Sequence, residues 1–592
     1  MYKNYLAQTY KLGHNIVCAC CGCISHDITE FEVVLPSYDR LRHLRIPETV
    51  DIPFDFSSGI DVLDQNRILI DKLGITQDKR IHLCRTCHGQ LSKDRMPSEA
   101  LANFRWIGPV PEQLRDLTWI EELLIARIHV CGSVVRLGQR NNPSSFFGIK
   151  GHVVFLPQDT TRLIDLLPMS PSALSDLVKV VWTGRSKPDR SRLRSRFTVR
   201  KHKVYDALKW LVDNHEDYKK NVTIDEDMMA AWEPTFVAVE LLDNIGHVSD
   251  PSAEDASRDG FGMDDPDDDE TTNDETGNDL PFTSSGVVDV NNIAEIRDAT
   301  TLTRLAQLKA DITANVVTGT QILHQYDCDT YFTSAFPTIF PYGTGKHRDS
   351  RRGDKQLPLL KWVSLMLQHS SRFLFLVFLR LTVRRFQAHP AFVVSSFDIS
   401  RLNHNSLKTN VLARRKTWPA TALLLESLTP EQLMEAASQA EKHQPITDPA
   451  IQELLKGVAR VGSTASGSDE RKSYMLAQLK SSIVHFGCPA IFLTINPHER
   501  YSPIALFYAG EEIDIRKFQP KWYALSQRLK RTLNNPLAVV EYFHNMIRAI
   551  IENVLKAGIF GEVSHYYATI EYQGRGTPHT HLAVRYFWKL LS

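Results

Sequence analysis

The sequence predicts an α+β protein: a cysteine-bearing N-terminal region of mixed helices and strands, an acidic linker, and a C-terminal antiparallel sheet with helices on one face. Three observations predict it. Two Cys-x-x-Cys pairs stand near the N-terminus, in "CACCGC" and "LCRTCHGQL". One low-complexity run, "DDPDDDETTNDETGND", interrupts the chain. From Asp469 onward the pattern reads helix, strand, helix, strand, strand, which builds a sheet-and-helix layer.

The chain has 592 residues, enough for about three or four domains. It is 43% hydrophobic and 23% charged, the composition of a soluble globular protein. Formal net charge is zero, from 69 basic and 69 acidic residues. Asp250 to Asp279 holds thirteen acidic residues and one basic one, so the remainder has 68 basic against 56 acidic, a net +12. A basic body of that kind favours nucleic acid. No secretory signal opens the sequence, and "FLFLVFL" is much shorter than the roughly 20 residues of a membrane span. An intracellular protein is expected, so the nine cysteines are thiols or metal ligands and not disulfides.

Residues 1–245 form the first expected domain. "IARIHVCGSVVRL" and "GIKGHVVFLP" form an extended patch, and the second reads as strands from its β-branched alternation. "SPSALSDLVKVVW" has a Ser cap and helical spacing. "VYDALKWLVDNHEDY" is an amphipathic helix with Val204, Leu208, Leu211 and Val212 on one face. Between them, Arg185 to Lys203 carries nine Lys or Arg, either a phosphate-contacting segment or an exposed basic loop. Residues 246–290 have too little apolar surface to offset their ordering entropy and read as a disordered linker.

Residues 291–592 form the second expected domain. "DERKSYMLAQLKSSIVHFG" is a helix from Asp469 to a stop at Gly487. "AIFLTIN" reads as a buried strand. "NNPLAVVEYFHNMIRAIIENVLKAG" is a helix with Asn535 as cap, Pro536 in the first turn and Gly558 at its end. Its core stripe is Val540, Phe543, Ile547, Ile550 and Val554. "VSHYYATIEYQ" and "THLAVRYFW" are strands joined by "GRGTP".

Two groups carry chemistry. Cys18, Cys21, Cys84 and Cys87 offer four thiolates in two knuckles, a structural zinc set. Cys20 and Cys23 are the alternative first knuckle, although Gly22 after Cys21 suits the first choice; His88 reads as a surface residue. On the last strand His579 and His581 share a face with Ala583 and Arg585, and two imidazoles so placed can hold a divalent ion. Glu571 on the preceding strand adds a carboxylate, which suits Mg or Mn, with Gln573 as fallback. Arg575 and Arg585 are the nearby cations that would hold single-stranded DNA.

"FLTINPHE", "EYFHNMIRA", "GIFGEVSHYYATIEYQGRGTPHTHL" and "AFPTIFPYGTG" together resemble the helicase-like N-terminal domain of Helitron transposases, which carry a Rep-type nuclease of the HUH class. The likeness spans about 330–592. It implies that His579 and His581 are the metal-binding pair of an endonuclease that nicks DNA through a phosphotyrosine bond. Thr580 replaces the family's bulky apolar middle residue. The family's nucleophilic tyrosines lie well downstream, followed by an ATP-driven helicase. Only eleven residues follow His581 here, so the expectation is a truncated nuclease, inactive alone, that needs a longer transposase chain. "FPYGTGKHR" is not a phosphate loop, because Phe340 and His347 stand where Gly and Ser or Thr are required. The cysteine region resembles the zinc-knuckle domain that precedes the nuclease in fungal and other eukaryotic Helitrons. A nuclear DNA-binding fragment is implied. The competing readings are a nuclease completed by another chain and a host-adopted, zinc-stabilised interaction module.

Overall fold

The computed structural model describes mainly residues 12–27, 30–129, 164–177, 194–243, 329–370, 427–442, 444–462, 469–497, 502–509, 535–572 and 578–587, with shorter pieces between them. Strands β1 (Leu12–Val17) and β2 (Ile24–Asp27) pair antiparallel around the first cysteine knuckle. Strands β3 (Phe31–Val34) and β4 (Ile81–Cys84) pair antiparallel and deliver the second. Cys84 then caps helix α1 (Arg85–Leu91), its sulfur accepting from the Cys87 N–H at 3.5 Å.

The core ignores the expected domain boundary. One cluster of buried side chains runs from Ile16 to Ile128 and continues with Tyr331 to Ile399. Trp362, on helix α4 (Leu359–Leu367), is fully buried among Phe332, Phe340 and Phe392, with centroids 4.7, 6.1 and 6.0 Å away. Buried Arg352 donates to the carbonyls of Asn103 and Lys346, and Arg385 to that of Gly108. Residues from both 1–245 and 291–592 thus contribute to one core cluster. The acidic composition of that run does not say which segments share a core. Of 246–290, only Gly246–Val248 is described, a strand parallel to Val181–Thr183.

A second core forms between helix α2 (Trp119–Ile125), helix α3 (Lys201–Asn214) and their neighbours. Thr118 and Glu121 make a capping box for α2. Helix α3 buries Val204, Leu208 and Leu211 of the expected stripe and Ala207 besides, with Val212, the fourth expected member, at its margin. "IARIH" is not extended at its start, where α2 ends at Ile125; around this patch, between 126 and 157, only Val135–Arg136 and Phe147–Gly148 pair among the described residues. "SPSALSDL" is helical over Pro171–Leu177 and gives way to strand at Val181. Two cations of the basic stretch are neutralised within the fold. Arg200 meets Glu121 and Asp116, and Lys203 meets Asp116 at 3.0 Å.

The C-terminal sheet has strand order β5 (Ile491–Ile495), β7 (Pro578–Tyr586), β6 (Val563–Tyr572), antiparallel throughout. Helix α6 (Pro536–Ile550) continues through a π turn, Ile551–Leu555. That turn brings Leu555 onto Leu582 and Val584, while Gly558, at φ 73°, ends the segment. Asn535 precedes the helix but makes no side-chain cap bond. β5 is an edge strand with alternating exposure, not a buried one, and Phe492 is 70% exposed. Helix α5 (Asp469–Phe486) touches the opposite face: Tyr567 donates to the Met475 carbonyl at 3.1 Å, and Phe486 stacks on His565. The α+β layer is as expected, with helical residues touching both faces of the sheet. The strand alternation fixed two faces but could not show that the exposed-looking one is half covered. Among the described residues no helix is long and apolar enough to cross a membrane.

Candidate metal centres

The two knuckles converge. The sulfurs of Cys18, Cys21, Cys84 and Cys87 all lie within 4.8 Å of one another, and these four could hold a metal ion such as zinc. Sulfurs at the corners of a tetrahedral zinc site, about 2.3 Å from the ion, are about 3.8 Å apart. The knuckle turn is set by Gly22, at φ 70°, whose N–H donates to the Cys18 carbonyl at 2.8 Å. The Cys84 N–H donates to the Cys18 sulfur at 3.2 Å. Burial drives the Cys18 thiol up, whereas hydrogen bonds from Cys18, Cys21 and Cys87 hold Cys84 far below the usual thiol range. Four thiols this close together are a donor set ready for a cation. Cys23 is elsewhere, its sulfur 3.9 Å from the Leu365 carbonyl, so the Cys18–Cys21 choice of first knuckle is the one that meets the second. No other group of three or more His, Cys, Asp or Glu residues among the described residues is so arranged.

The second candidate lies on the sheet face away from Leu555. His579 and His581 bring their Nε2 atoms to 3.0 Å. Two ligands about 2.1 Å from one ion and at right angles to each other are about 3.0 Å apart, so the spacing fits adjacent corners of an octahedron. His581 Nδ1 lies 2.9 Å from Thr494 Oγ1. With Nδ1 donating there, Nε2 keeps its lone pair toward His579. Phe492 lies nearly parallel to the His581 ring at 5.5 Å. Thr580, where the family has a bulky apolar residue, is 1% exposed and donates to the Thr569 carbonyl at 2.8 Å. A hydrogen bond across the strands thus stands in for apolar bulk.

The register sets Glu571 directly opposite His579 and Thr569 opposite His581; the Glu571 side chain and all of Arg575 lie outside the described residues. Arg585 is not presented to a ligand. It is 4% exposed, and its guanidinium donates to the Ser482 carbonyl and hydroxyl, each at 3.0 Å. Alternation puts it on the histidine face, but helix α5 covers that end. Lys346 of "FPYGTGKHR" pairs with Asp217 at 3.1 Å inside the shared core, as befits a packed turn and not a phosphate loop. Thr494 and Phe492 are the residues sequence reasoning missed. Their period-two spacing along "FLTIN" carried the signal, and only the register with β7 shows which face they join.

Two family models match parts of the chain. Residues 376–584 match the Helitron helicase-like domain at N-terminus, and residues 93–230 match a domain of unknown function (DUF6570). The first supports a Helitron-type protein and spans β5, α6, β6 and both histidines. No curated protein and no solved structure matches the chain.

Proposed function

We propose that the chain belongs to the DNA-handling machinery of a Helitron-type rolling-circle transposase, a nuclear protein in this reading. The His579–His581 face binds single-stranded DNA with a divalent ion, Mg or Mn, and takes part in nicking and strand transfer. Zinc holds the cysteine knuckles together. The observation that carries the reading is the convergence of two imidazole Nε2 atoms at 3.0 Å on an accessible sheet face within the Helitron-like segment.

His579 and His581 would hold the ion, and Glu571, opposite His579 in the register, is the natural third ligand. The ion's part is to polarise a phosphodiester. Thr494 orients the His581 ring. Phe492, exposed beside it, offers an aromatic plane on which a base can stack. Among the described side chains of the sheet, the tyrosines are badly placed for attack. Tyr566 and Tyr586 pack toward Leu555, and the Tyr567 hydroxyl is engaged with the Met475 carbonyl. In this reading the phosphotyrosine step draws its nucleophile from none of these three residues but from another part of the polypeptide or a longer transposase chain.

The test is binding of labelled single-stranded DNA across a salt series, with and without manganese. Wild-type chain should show a steep salt dependence and a manganese-dependent gain that His579→Ala and His581→Ala both lose. Salt-insensitive or absent binding would favour the interaction-module reading. Metal analysis should find one zinc per chain, lost in Cys84→Ser.

A further inference from the structure

We propose that the cysteine cluster is a clasp: its first knuckle docks on residues 365–370, so metal binding and the joining of the chain segments on either side of the acidic run are one event. This rests on the zinc reading above. Inside the knuckle, the Cys18 N–H donates to the Cys23 carbonyl at 2.9 Å and the Gly22 N–H to the Cys18 carbonyl at 2.8 Å. Its outer side is bound to a segment more than three hundred residues away in sequence. The Ile24 N–H donates to the Gln368 carbonyl at 2.9 Å, the Ser370 N–H donates to the Gly22 carbonyl at 2.8 Å, and Cys23 and His369 form an antiparallel bridge between them.

The same seam is closed from a third side. The Ser370 hydroxyl donates to the Asp71 carboxylate, and the Asp71 N–H donates to the Ala19 carbonyl at 2.7 Å. Gly22 is required twice over. Its φ is 70°, and a Cβ there would stand 3.0 Å from His369 Nε2 and 3.3 Å from Asp71 Oδ2. The backbone that wraps the thiolates is thus the backbone that grips residues 368–370. A short knuckle has little secondary structure to hold its shape, so the binding energy of its ion is its folding energy. Linkage then works in both directions: the ion tightens the dock, and the dock tightens the ion by the same factor.

Hydrogen exchange of the full chain before and after zinc chelation tests this, following a metal analysis of the same preparation. Chelation should strip protection from the Ile24 and Ser370 amides together with those of Cys18 and Gly22, while Leu208 and Leu211 of α3, in the separate core, keep theirs. Ser370→Ala, which leaves every cysteine in place, should lower zinc affinity by about five-fold or more in a chelator competition. Bound zinc with Ile24 and Ser370 still protected after its removal would overturn the clasp and leave the zinc site standing, as would an unchanged zinc affinity in Ser370→Ala. Loss of protection throughout α3 would also overturn it, by making the ion a support for the whole chain. A preparation that binds no zinc would remove the zinc reading and the clasp together.

Discussion

Replacing Arg585 by Met should loosen the C-terminal sheet and leave DNA binding intact. The guanidinium is 4% exposed and makes two 3.0 Å hydrogen bonds to Ser482, tying α5 to β7. Hydrogen bonds from a charged donor contribute about 1.5–3 kcal/mol each. Against that, keeping a guanidinium out of water costs several kcal/mol, which the substitution relieves. Met retains the apolar stem, and half-buried Ser482 can turn to water. The net loss is about 2 kcal/mol, or roughly a thirty-fold fall in hydrogen-exchange protection of the β7 amides at about 1.4 kcal/mol per decade. In parallel, wild type and variant are titrated with single-stranded DNA between 50 and 200 mM salt. A side chain that contacts a phosphate contributes about 0.7 to the logarithmic salt slope on single strands. A slope shallower by that amount, with β7 protection unchanged, would show that Arg585 reaches DNA and would refute the assignment of its guanidinium to Ser482.

Thr494→Val removes the partner of His581 Nδ1 at 2.9 Å and should weaken manganese binding by about 10–100-fold; equal affinities by calorimetric titration would mean the ring is held by other means. Burial pushes His215 and His369 down to about 4 and about 3, below the ordinary imidazole value of about 6.5. The unfolded chain then binds protons that the folded one refuses, so stability is full above about pH 6.5 and is lost as pH falls toward 4, by on the order of 3 kcal/mol for His215; a flat urea midpoint between pH 7 and 4.5 would contradict this. Gly343→Ala combines φ 69° with a Cβ 2.6 Å from His215 Cε1 and should cost about 2 kcal/mol or more, whereas Gly353→Ala, at φ 53° but with open space, should cost about 1 kcal/mol. Equal melting temperatures for the two variants would refute the packing argument.

What was legible in the sequence was local. Val204, Leu208 and Leu211 repeat at helical spacing and do line one buried face of α3. The alternation in "HTHLAVRY" and "VSHYYATIEY" placed both histidines opposite the Leu582–Val584 face, and the register agrees. Gly22 favoured Cys18–Cys21 over Cys20–Cys23, since a tight turn needs positive φ after the second thiolate. Tertiary cover was not legible. An edge strand and a buried strand are both short apolar runs, so "AIFLTIN" gave no sign that Phe492 faces solvent. Arg585 sits on the expected face, but nothing in its neighbourhood announces helix α5 above it. The packing of Phe332, Phe340 and Trp362 with Leu41, Leu83 and Trp106 joins residues hundreds of positions apart, and such pairs leave no periodic trace.

That shared core also sets an order of events during synthesis. Ile128 and Tyr331, which belong to one cluster, are separated by about 200 residues, some ten to forty seconds of translation at about 5–20 residues per second. Through that interval the N-terminal members of the cluster, Ile16 to Ile128, have emerged while Tyr331 to Ile399, which complete it, have not been made. The front of this protein is thus born with an uncovered apolar face. Nascent chains should draw on chaperones there, and a fragment ending at the acidic run should aggregate where the complete sequence folds.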